Sequence, residues 1–169
     1  MRWIVELGRV DICLEVSLMS SHLALPREGN LYKLFHIFAY LKWKHRARMV
    51  FDPAYPSIDN DDLPRHNWEK HYGEVKEVIP TNAPYPRGKG FYMIGYVDSD
   101  LAGDKVIRRS RTGFVIYLNQ SPIYWFSKRQ NGVECSTFGS ELIDTKQCYE
   151  YVIGLRYKLW MIGIPVIGC

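Results

Sequence analysis

Between Phe91 and Ser127 the sequence turns to a period of two among β-formers, and no other stretch limits the fold as strongly. Phe91 to Asp98, Arg111 to Leu118 and Pro122 to Ser127 each have the length and alternation of a strand. The link Leu118-Asn119-Gln120-Ser121-Pro122 is too short for a crossover and rich in turn formers, so the second and third strands are expected to form an antiparallel hairpin. A helix is expected from about Thr137 to Lys158, with Phe138, Leu142, Cys148, Tyr149, Val152, Leu155 and Leu159 as its apolar stripe. Ile162 to Cys169 reads as the approach to a further strand. The expected class is α/β: an antiparallel three-stranded meander plus a helix.

Upstream the period lengthens. Ile12, Val16, Met19 and Leu23 recur at helical spacing, and Asp11 stands where an N-cap would sit. Pro26 ends that segment, and a second helical pattern runs from about Asn30 to His45 through Leu31, Leu34, Phe35, Phe38 and Leu41. From Phe51 to Gly90, prolines at 53, 56, 64, 80, 84 and 86 argue for an irregular connector, with one further short element expected within Trp68 to Ile79. The expected division is residues 1–50, helical; 51–89, connector; and 90–169, the strand-rich region.

The totals exclude several classes. No stretch approaches the roughly 18 apolar residues of a membrane helix, and the N-terminus lacks a secretory signal, so an intracellular place is expected, cytoplasmic or nuclear. The four cysteines form no C-x-x-C pair and lack neighbouring histidines at zinc spacing. His36 and His45 likewise lack ligand spacing. A net charge of +4 is too small to argue for nucleic acid by itself, but bases cluster from Lys33 to Arg48 and from Arg87 to Arg111. Arg108, Arg109, Arg111, Lys128 and Arg129 are candidates for phosphate contacts, and a solvated surface is an equally good reading of them. Tyr124 and Trp125 alternate on one strand, so one is expected in the core and the other exposed.

Chemistry would come from carboxylates. An apolar run delivers Asp98 and Asp100 to a sheet end, and Glu141 stands in the first turns of the helix after the hairpin. Carboxylates on adjacent rigid elements can hold a hard divalent ion, although solvated caps are common at both kinds of position. Asp144, three residues beyond Glu141, is expected to be an exposed acid.

Three ordered blocks, Asp98-Ser99-Asp100-Leu101-Ala102-Gly103-Asp104, Arg108 to Phe114 and Ile123 to Gln130, resemble the ribonuclease H region of copia-type retrotransposons. A fourth, Ser136-Thr137-Phe138-Gly139-Ser140-Glu141, resembles the segment bearing that family's second catalytic carboxylate. Arg2 to Ile12 and Leu34 to Lys42 resemble the end of the same family's reverse transcriptase. The resemblance implies an incomplete ribonuclease H-like fold preceded by a helical reverse-transcriptase remnant, with Asp98 and Glu141 as catalytic, metal-binding carboxylates and Mg2+ as cofactor. Asp100 and Asp104 belong to the motif without being primary ligands. The implied partners are an RNA–DNA hybrid or other nucleic acid and the rest of a retroelement polyprotein.

The family's third and fourth carboxylates and its polymerase motif have no counterpart in these residues. The expectation is therefore a catalytically incomplete nuclease, with a non-catalytic nucleic-acid-binding or assembly module as the alternative. An open sheet edge is further expected to favour pairing with another copy.

Overall fold

The computed structural model describes residues 1–57, 67–74, 78–104 and 106–168. Residues 58–66 and 75–77 of the expected connector, together with Lys105 and Cys169, lie outside the described residues. The fold is mixed α/β. Helix α1 spans Arg2–Glu6, a 3-10 turn Val10–Ile12 leads into α2 (Cys13–Ser20), and α3 (Glu28–Trp43) and the short α4 (Glu69–Tyr72) follow. Strands β1 (Phe91–Asp100), β2 (Arg111–Leu118) and β3 (Ser121–Arg129) precede α5 (Thr137–Met161) and β4 (Val166–Gly168). The sheet order is β3-β2-β1-β4.

The meander is antiparallel as the alternation predicts: Val97 pairs with Phe114, and Phe114 with Phe126. Hence odd residues of β1 share a face with even residues of β2 and β3. That face packs on α5, where Met93, Phe114, Ile116, Cys148 and Leu159 are buried together. Gly95 permits the close approach: a Cβ there would lie 2.8 Å from Cys148 Sγ. The opposite face is covered at β3 by the N-terminal helices. Trp125 joins the cluster of Val5, Ile12, Val16 and Ile37, and its Nε1 donates to Val5 O at 3.1 Å. Tyr124 packs on the other side against Phe114 and Tyr151, so neither of the two aromatics is the exposed one the alternation suggested.

The final segment forms β4, which runs parallel to β1 and pairs only with Phe91 and Tyr92. Among the described residues the outer edge of β1 is unpaired from Met93 to the strand's end. Helix α5 is closed at both ends. Ser136 Oγ accepts from Gly139 N–H at 3.1 Å, and Gly163, with φ +75°, takes the left-handed conformation that ends the last turn.

Several stripes are phased differently from the sequence reading. In α5, Cys148, Val152, Leu155 and Leu159 of the expected stripe pack in the core, but Phe138, Leu142 and Tyr149 are exposed, and Ser140 and Asp144 face inward. In α3, Leu31, Phe35 and Phe38 are exposed and Ile37 is buried. Asp11 does not cap α2; it lies in the 3-10 turn and pairs with Arg9 at 2.8 Å.

The connector begins as an ordered strap. Asn119, at φ +53° in the hairpin turn, exchanges hydrogen bonds with Tyr92, through its own amide to Tyr92 O (2.8 Å) and its Oδ1 from Tyr92 N–H (3.0 Å). Its Nδ2 donates to Pro53 O at 3.0 Å, and Ser121 Oγ donates to Asp52 O at 2.8 Å. A side-chain amide at a left-handed position therefore joins the turn, β1 and the strap. Asn119→Ala should lower the unfolding free energy by about 2–3 kcal/mol, since it strands buried backbone groups and strains the turn. Chemical denaturation checks this, and a loss below about 0.5 kcal/mol would contradict it.

Candidate carboxylate site

The chemistry expected of this chain converges on the C-terminal end of β1. Asp98, Ser99 and Asp100 pair with Gly113, Thr112 and Arg111 of β2. Because Val97 packs into the α5 core, alternation turns Asp98 onto the opposite face, where it is exposed. Helix α5 runs the other way over the same strand, with Cys148 over Gly95 and Asp144 against Thr112, the partner of Ser99. Glu141 precedes Cys148 by about two turns, so it shares the side of α5 that overlies β1. It is exposed. Asp98 therefore stands on the face of β1 turned away from α5, the helix that carries Glu141. Among the described residues no group of three or more His, Cys, Asp or Glu side chains is placed to hold a metal ion.

The carboxylate that enters the protein is Asp144, which corrects the expectation of an exposed acid: it is 0% exposed. Thr112 Oγ1 donates to its Oδ1, as does Gln130 Nε2 at 2.6 Å. Gln130 Nε2 also lies 3.2 Å from Ser140 O, so one amide spans β3's end and two turns of α5. Asp144 Oδ2 and Gln130 Oε1 have no hydrogen-bond partner among the described residues. Burial pushes the Asp144 carboxyl above the ordinary aspartate value, and the nearby Asp98 adds to the rise. The bonds from Thr112 and Gln130 and the Gly113 amide pull it back only in part.

Asp104 has a different task. Its Oδ1 accepts from the amides of Val106 (3.0 Å) and Ile107 (3.2 Å), and its Oδ2 from Arg129 Nη1 at 2.9 Å. The Ile107 amide first, then Arg129 and the Val106 amide, hold the carboxyl below its usual range. It ties the β1–β2 loop to β3.

The expected phosphate contacts divide. Arg108 and Lys128 are exposed and Arg109 is half-buried. Arg129 is engaged by Asp104, and Arg111 is only 7% exposed and donates to Ser17 Oγ on α2. A solvated surface therefore does not describe Arg111. His36 and His45 are exposed, and His45 Nδ1 lies 3.1 Å from Lys42 O. Among the described residues no helix is long and apolar enough to cross a membrane.

The chain resembles segments of retroelement polyproteins. It is 34% identical over 116 residues to the Arabidopsis thaliana retrovirus-related Pol polyprotein from transposon RE1, covering 60% of this chain and 8% of that protein. The corresponding polyprotein from Arabidopsis transposon RE2 is 32% identical over 116 residues, again 60% and 8%. A Plasmopara viticola protein named secreted RxLR effector protein 161 is 33% identical over 102 residues, 59% of this chain and 71% of its own. Over this stretch the chain is similar to retrovirus-related Pol polyproteins of copia-type transposons. It spans about 8% of the length of the RE1 and RE2 polyproteins. No protein-family model and no solved structure matches it.

Asp144 sets a pH dependence. With its folded value raised, the contribution of this group to stability is fully present below the ordinary carboxyl value, where both states hold the proton. It falls as pH climbs from the ordinary carboxyl value through the folded one. Asp144→Asn should flatten that fall, because its new N–H can donate to the unpartnered Gln130 Oε1, and should equal or exceed the parent by about 1 kcal/mol at pH 7. Asp144→Ala strands Thr112 and Gln130 and should cost about 2–3 kcal/mol. Denaturation curves at pH 5 and pH 7 check both; an Asn variant weaker than the Ala variant would refute the assignment.

Proposed function

We propose that the chain joins a reverse-transcriptase tail (1–50) through a connector (51–89) to the first part of a ribonuclease H-like domain (90–169). Its ancestors cut the RNA strand of RNA–DNA hybrids with magnesium. What supports this most is the sheet order β3-β2-β1-β4, with β1 antiparallel to β2 and parallel to β4 and α5 packed on one face.

In this reading Asp98 and Glu141 are the catalytic carboxylates and hold Mg2+, and hard oxygens on fixed elements suit that ion. The pleat directs Asp98 away from the face that packs on α5. When bound, magnesium supplies an activated water and offsets phosphodiester charge. Asp98 and Glu141 would orient it. A pair of carboxylates leaves most of the coordination to water and substrate, so this chain binds the ion weakly and cuts little. The partners are an RNA–DNA hybrid, the remainder of a retroelement polyprotein, and a second copy through the open edge, in the cytoplasm or nucleus.

A non-catalytic nucleic-acid-binding module is the second reading, favoured by the bases along β3. Incubated with magnesium and a labelled hybrid, the purified chain should bind it in a salt-dependent way, losing at least tenfold in affinity between about 50 and 200 mM salt. The RNA strand should stay intact. Magnesium-dependent cutting abolished by Asp98→Asn would overturn the proposed inactivity, and the absence of any hybrid binding would remove both readings.

A further inference from the structure

Along the outer edge of β3 runs a cleft of about 580 Å3, walled by α1–α2 and by the end of the sheet. It gathers Arg2, Arg109, Arg111, Lys128 and Arg129 against a single acid, Glu6. Two of the five cations are compensated: Arg2 lies 3.6 Å from Glu6 and Arg129 2.9 Å from Asp104. Arg111 is not. It is nine-tenths buried, its guanidinium donates to the neutral Ser17 hydroxyl, and among the described residues no carboxylate lies within ion-pair distance.

Its cross-strand partner Asp100 is turned elsewhere, onto the loop, where a Cβ at Gly103 would sit 1.8 Å from Asp100 Oδ2. Burial and the like charge of Arg129 push Arg111 below its ordinary value, against the pull of Asp100 and Asp104. A buried cation balanced only by a neutral oxygen destabilises a fold unless an anion joins it. Ser127 adds a second, independent sign. It lines the same cleft, and its Oγ is buried with no partner among the described residues, which leaves a hydroxyl free to donate.

We propose that the cleft binds a phosphate group, with Arg111 and Ser127 beneath it and Arg109 and Lys128 at its mouth. The planar guanidinium fork of Arg111 matches phosphate geometry, and the mouth residues supply charge without being committed to any carboxylate among the described residues. The phosphate comes either from a free nucleotide or from a nucleic-acid strand. This deepens the nucleic-acid reading above by giving it a defined site.

The test uses the full chain at low salt, with AMP and a labelled single-stranded oligonucleotide as probes. Arg111→Gln risks the fold, so the diagnostic variant is Arg109→Gln/Lys128→Gln, whose residues are more exposed; its fold is checked by circular dichroism. The parent should bind at least one probe, and the double variant should lose about tenfold or more. AMP displacing the oligonucleotide assigns the site to nucleotides, and oligonucleotide binding that AMP does not displace assigns it to the strand. No binding of either probe by the parent, or equal binding by the variant, overturns the proposal. Hybrid binding measured alongside separates the two claims. A variant that keeps hybrid affinity while neither probe binds the parent removes the cleft alone. A parent that binds AMP but no hybrid removes the hybrid reading alone.

Discussion

Where β2 meets α5, methyl groups would ordinarily fill the gap, yet Thr112, Asp144 and Gln130 meet there instead. Asp144 Oδ1 receives both donors, and Gln130 reaches on to the Ser140 carbonyl. The cluster joins the middle of the meander, the end of β3 and the first turns of α5. That junction joins the helix to the sheet in the phase in which Cys148 faces Gly95. A half-satisfied network of this kind is costly with a charged carboxylate. With a protonated one, the unpartnered Oδ2 can carry the proton without a buried charge. The raised pKa and the two unpartnered oxygens are one fact seen from two sides.

Two layers of cover follow from the alternation. The face bearing Phe114, Ile116 and Tyr124 is closed by α5, and the face bearing Trp125 is closed by the N-terminal helices. The two regions that the resemblance assigns to different enzymes are therefore packed through β3, with Ser17 bridging Arg111 and Ser127 O. The same packing buries Arg111 and creates the charged cleft beside it. The open parts are the outer edge of β1 and the exposed apolar side chains of α3 and α5.

The strands were legible because period two among β-formers leaves little choice, and β2 spans the residues expected of it, Arg111–Leu118. The helix phases were less so. In α5 the later part of the expected stripe, Cys148, Val152, Leu155 and Leu159, packs on the sheet, but Phe138, Leu142 and Tyr149 are exposed, and the first turns approach the sheet through Ser140 and Asp144, small or polar residues that carry no hydrophobic signal. Reading the stripe from the large residues made Asp144 a surface acid. A signal was available: Thr112 and Gln130 are hydrogen-bonding residues within otherwise strand-forming blocks, and each needs a partner if buried. The strap through Pro53 was hidden for a similar reason, since prolines announce an irregular backbone without saying what it rests on.

A buried carboxyl at Asp144, its pKa raised by burial, ties α5 to the sheet through Thr112 and Gln130. Carbon-detected NMR of the aspartate carboxyl resonances, followed through a pH titration and assigned with Asp144→Asn, measures it directly. The account predicts that the Asp144 resonance titrates above the ordinary aspartate value and shifts together with the Thr112 and Gln130 signals. A midpoint at or below the ordinary value, with those two signals unmoved, would contradict it.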